Sequence, residues 1–127
     1  MAAARKTTGV RPDAAVVFYI ATEVFRRYYD DADAVLAGKL RRNIRRSHQV
    51  TIDAAVVLRL VQHYAKAYDV AASVLPRFIG PTTGKYVDAN DIRLDAFRAA
   101  LRKRYPREPK LVLKALEWYT VHYEYLR

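Results

Sequence analysis

In the stretch Lys39 to Arg46, read KLRRNIRR, five of the eight side chains are cationic and none is acidic. A second group, Arg102, Lys103 and Arg104 followed by Arg107, lies further along. Arg26, Arg27 and the N-terminal pair Arg5 and Lys6 join them as candidates for the same work. Guanidinium groups match phosphate oxygens in geometry and stay charged at any accessible pH, so such clusters suit clamps on a polyphosphate backbone. Reading base edges calls for Asn or Gln aimed from a recognition helix, and the chain has only two of each, scattered. Nucleic-acid binding is therefore expected to be independent of base sequence.

Other constellations carry less chemistry. Gly80, Gly84 and Lys85 approach a phosphate-binding P-loop, but three residues separate the glycines where four are needed, and Tyr86 stands where a metal-binding Ser or Thr belongs. An interhelical turn is the expected reading. Asp30, Asp31 and Asp33 lack the glycine and the closing Glu of a calcium loop, and are read as a solvated acidic patch able to pair with Arg26 and Arg27 of a neighbour. His48, His63 and His122 fall on three segments without the spacing of a metal pair or a triad. His48 is read as part of the basic surface, the other two as ordinary helix residues. With no cysteine in the chain, disulfides, thiolate metal sites and thiol nucleophiles are excluded. The expectation is a chain with no catalytic set, metal or cofactor, and no small-molecule substrate.

Positioning the cations falls to helices. The first is expected to begin at Pro12 and Asp13, a proline suited to the first helical position and a carboxylate suited to the positive end of the dipole. Val17, Ile20, Val24 and Tyr28 follow as one stripe, and Gly38 is the residue expected to bend or end this helix. Around it Leu36, Leu40 and Ile44 line one side. At 100° per residue Arg41, Arg42, Arg45 and Arg46 fall about 100° to 240° from Leu40, which makes a basic amphipathic helix. Ser47 to Val50 breaks it. Thr51 is the expected N-cap of the second helix, with Asp53 in its first turn. There Val57, Leu60, Val61, Tyr64, Tyr68, Ala71, Ala72 and Leu75 hold a helical period until Pro76.

A loop through Gly80 to Gly84 leads to a third helix, capped by Asn90, carrying Leu94, Phe97, Leu101 and Tyr105 and closed by Pro106. The fourth starts near Pro109. It bears Val112, Leu116, Tyr119, Tyr123 and Leu126 on one stripe and Leu111, Ala115, Trp118 and Tyr125 on another, a breadth that implies packing on two sides, the second against another subunit. Most Tyr and Phe sit at such core-like spacing, so packing is expected of them before base stacking.

With 127 residues and 52% hydrophobic composition the chain can fold as one domain with a real core. The expected organisation is a basic N-terminal arm, residues 1–12, and a single all-α, four-helix bundle-like domain, residues 13–127. No apolar run reaches the length of a bilayer span. The net charge of +10 is concentrated: residues 26–48 carry +4 and residues 98–110 carry +5. Charge that only solubilises would be scattered, so a polyanionic partner is expected, nucleic acid first. Arg outnumbers Lys, and Asn, Gln, Ser and Met are scarce, one signature of proteins that work hot.

Two resemblances follow. Tyr19, Ile20, Ala21, Thr22, Glu23 and Val24 resemble the central helix of a histone fold, and His48 to Leu60, read HQVTIDAAVVLRL, is similar to the loop and third helix after it. That likeness implies a DNA-compacting, histone-like dimer. The chain as a whole resembles the small coat proteins of filamentous or rod-shaped double-stranded DNA viruses of hyperthermophilic archaea, the tristromavirus, rudivirus and lipothrixvirus kind. Its length, four helices, basic arm and first helical unit, and Tyr and Arg in place of labile polar residues carry the likeness. What it implies is an intertwined dimer, of one chain or with a related coat protein, whose arms and first helices wrap duplex DNA, often in A-form, and stack into a helical filament within a virion. Carried over by position, residues 39 to 46 and the arm would face DNA and the aromatic fourth helix would face neighbouring subunits.

Overall fold

The computed structural model describes residues 12–27, 32–80 and 92–126, apart from the side chains of Arg27, Tyr125 and Leu126. The chain is all-α: α1 spans Ala14–Arg27, α2 Asp33–His48, α3 Ala54–Val74, α4 Leu94–Arg104 and α5 Lys110–Val121. A 3-10 turn, Leu75–Phe78, follows α3, and a π-helical turn, His122–Leu126, follows α5. Among the described residues the sole extended pairing is an isolated bridge between Ile79 and Ile92. No helix among them is long and apolar enough to cross a membrane. Contacts divide the chain into two compact units, Met1–Ala65 and Lys66–Arg127.

In the first unit the helix starts differ from expectation by one cap each. Asp13 precedes α1 and accepts the Val16 N–H at 2.9 Å, and Asp53 precedes α3 and accepts the Ala55 N–H at 2.8 Å. Aspartate serves at both places because its carboxylate satisfies amides that have no carbonyl one turn back, and its charge complements the dipole. Pro12 and Thr51 consequently lie outside the helices.

Gly38 does not end a helix. The break falls before Asp33, and α2 runs unbroken through Gly38. The reason is that Leu36, Leu40 and Ile44 keep one helical phase across the glycine and are all buried, so burial outweighs the glycine's roughly 1 kcal/mol propensity cost. α2 ends where Gln49 takes a left-handed conformation, φ 54° and ψ 33°.

On α1 the buried face is Val16, Ile20, Ala21, Val24 and Phe25, with Val17 only half-buried. Phe25 meets Tyr64 of α3 edge-on, ring centroids 5.9 Å apart. Val57 and Val61 complete the α3 contribution to this core, and Ile52 fills it from the connection.

The second unit is built on Tyr68, Ala71 and Leu75, with Phe97 and Leu101 from α4 and Val112, Leu113, Leu116 and Val121 from α5. Tyr68 donates its hydroxyl to Glu124 at 3.3 Å. Phe78 packs on Phe97, and the Arg93 guanidinium lies over the Phe78 ring and donates to the Arg77 carbonyl at 2.6 Å. Leu94, expected in the apolar stripe of α4, is exposed because it is the first helical residue.

Candidate nucleic-acid interface

α2 presents two faces. Leu36, Ala37, Leu40 and Ile44 are buried, and Lys39, Arg41, Arg42, Arg45 and Arg46 are exposed on the other side. Arg45 and Arg46 fall in the last turn, where cations complement the negative end of the helix dipole.

Arg41 is tethered: its Nε donates to the Ile52 carbonyl at 2.8 Å across the α2–α3 connection. The tether fixes the Nε edge of the guanidinium and leaves its other nitrogens free of carboxylates. Among the described residues no acid pairs with Arg41, Arg42, Arg45 or Arg46.

Arg41, Arg42 and Arg45 rim a cleft of about 360 Å³ whose apolar lining includes Ala37, Gly38 and Leu58. Its lining residues all belong to the first unit.

Arg26 differs from these. It is exposed but paired with Glu23 on its own helix, Nη1 to Oε2 at 3.0 Å, an i,i+3 contact. Arg5, Lys6 and the side chain of Arg27 lie outside the described residues, as do Asp30, Asp31, Gly84, Lys85 and Asn90. His48 departs from the surface role expected of it: it is half-buried against Tyr19, ring centroids 5.9 Å apart, and its buried Nδ1 has no partner among the described residues. His63 and His122 sit beside rings as well, His63 edge-on to Tyr64 and His122 stacked on Trp118. Among the described residues no group of three acids or histidines is placed to hold a metal ion.

The second unit has its own basic surface. Arg102, Lys103 and Arg104 form the exposed last turn of α4, and Arg102 joins Lys110 and Lys114 around a shallow recess of about 290 Å³. The recess also contains Arg98, which sequence reasoning passed over. Arg98 Nε and Nη2 donate to the two carboxylate oxygens of Glu117 at 3.0 and 3.2 Å, with Asp95 at 3.6 Å. Glu117 is 6% exposed on the inner face of α5, an acid that periodicity alone assigns to the core. Hydrogen bonding to Glu117, and then its charge, holds Arg98 above the ordinary arginine value. The signal available in the sequence was an acid in phase with Leu113, Leu116 and Thr120, which needs a cation from a neighbouring helix.

Comparison of the chain with protein-family models, with curated proteins and with solved structures returns no match.

Proposed function

We propose that this chain is a structural nucleocapsid protein that coats double-stranded DNA without regard to sequence, through arginine and lysine contacts to phosphate, and assembles with further copies or a related coat protein into a helical filament. The observation that carries this reading is the outer face of α2. Arg42, Arg45 and Arg46 project from it with no carboxylate partner among the described residues, and Arg41 is held in place by backbone alone. A face that served only solubility would intersperse acids among its cations, as Glu23 and Arg26 do on α1.

Duplex DNA carries one charge per about 1.7 Å, so a subunit of net charge +10 can neutralise on the order of five base pairs. Stoichiometric coating is thus electrostatically balanced, and no chemistry is asked of the chain beyond holding phosphates and neighbours. The histone-like alternative calls for one long central helix leading from Tyr19 to the loop at His48. That interval contains two helices, α1 ending at Arg27 and α2 starting at Asp33, which favours the coat reading.

A salt titration tests it. Unrelated duplexes of equal length should bind alike, with affinity falling steeply as salt rises. Replacing Arg41, Arg42, Arg45 and Arg46 together by Ala should reduce the slope of log affinity against log salt by about three to four. An unchanged slope would remove α2 from the interface and the reading with it.

A further inference from the structure

Gly38 is an unexplained residue. It lies inside α2, its φ is not positive, and a Cβ built on it would meet nothing nearer than Arg42 Nη1 at 3.7 Å, an ordinary contact. Neither backbone conformation nor crowding therefore requires glycine there, although glycine is among the poorest residues in a helix interior. What its missing side chain supplies is space. Arg41 and Arg42 follow Gly38 by three and four residues and so stand over the same helical face, and Gly38 lines the cleft that they and Arg45 rim. Any larger side chain at 38 would occupy that cleft.

The cleft combines three cations with a lining of small and aliphatic side chains, at the low end of the volume range for small-ligand sites. Its chemistry fits an anion with several oxygens joined to a compact body of low polarity. A phosphate attached to deoxyribose has that form.

We infer that this cleft seats one phosphodiester of a bound strand, with Arg41, Arg42 and Arg45 on the phosphate oxygens and the adjoining deoxyribose against the lining around Gly38. The inference rests on the DNA-coating reading and sharpens it: α2 grips the backbone at a built recess as well as by a diffuse field. A free nucleotide offers the same chemistry, and the test separates the two sources.

The full chain carrying Gly38→Leu fills the cleft with no change of charge. Ala34→Leu fills it from an exposed position on the same helix, and serves if the first variant unfolds early. Each is titrated with a mixed-sequence duplex across a range of salt, and with thymidine 5′-monophosphate, after cooperative thermal unfolding has shown it folded. The expected result is a duplex salt slope lower by about one than that of the unsubstituted chain. Unchanged slope in both folded variants overturns the cleft while leaving the coating reading standing. Loss of nucleotide binding with an unchanged duplex slope also overturns it, because the occupant is then free nucleotide. Failure of the unsubstituted chain to bind duplex in a salt-dependent way overturns both readings.

Discussion

Gly38 illustrates how a single residue can weaken an element that its neighbours hold together. Its place inside α2 means that Gly38→Ala restricts the unfolded chain and improves helix propensity, while the added methyl meets only the end of a flexible arginine at 3.7 Å. The variant should be more stable by about 0.5–1 kcal/mol, measured as a higher urea midpoint with an unchanged m-value. A loss of stability would mean that the cleft is closed in solution and that the glycine is needed for packing. Arg41 makes the complementary point. Its bond to the Ile52 carbonyl satisfies a backbone acceptor between α2 and α3 and at the same time limits where the guanidinium can point. A cation placed this way loses less rotamer freedom on meeting a phosphate than the untethered Arg46 would.

Between helices the most informative contact is Arg98 with Glu117, joining α4 to α5. The carboxylate is buried and the guanidinium about half-exposed, its side chain 43% accessible. Removing the cation leaves a desolvated charge without a partner, whereas removing both groups takes away the desolvation cost with the attraction. Arg98→Met should therefore lower stability, and Arg98→Met with Glu117→Leu should recover most of that loss, as a double-mutant cycle in urea would show. Additive losses would place the two groups in separate environments.

The same pair marks the limit of what periodicity can read. Helical class, the apolar stripe of α2 at Leu36, Leu40 and Ile44, the end of α3 two residues before Pro76 and the start of α5 after Pro109 all follow from spacing, proline and burial. The exposed arginines of α2 were legible for the same reason, since Leu36, Ala37 and Ile44 all fall within about 60° of Leu40 and the four arginines fall about 100° or more away. Gly38 was misread because a breaker's cost is local, whereas the burial that overrides it comes from tertiary neighbours. The Arg41 tether, the cleft and the Arg98–Glu117 pair depend on contacts between elements, which no one-dimensional pattern contains.

At the scale of the whole molecule, α5 carries more apolar surface than its own unit covers. Val112, Leu113, Leu116 and Val121 are buried, while Leu111 and Trp118, one helical face away, are 62% and 54% exposed. Trp118 stacks on His122 with ring planes 11° apart and meets Tyr119 edge-on, so the indole lies against other rings of its own helical segment while solvent reaches it. Scattered exposed apolar residues are normal, but an exposed tryptophan and an exposed leucine on one helical face at i,i+7 spacing resemble the anchors of an interface.

If the chain coats DNA as a filament, this face is the natural contact between copies, and Trp118, the sole tryptophan, reports on it directly. Its emission should lie at long wavelength in dilute protein and shift to shorter wavelength when duplex is added in coating proportion, because assembly takes the indole out of water. Replacing Leu111 and Trp118 together by Ser leaves the net charge unchanged. Phosphate contacts and the salt slope should then persist, while continuous filaments in electron micrographs give way to separate complexes. If DNA binds with no change in the emission of Trp118, or if the doubly substituted chain still forms filaments, the subunit contact lies on another surface.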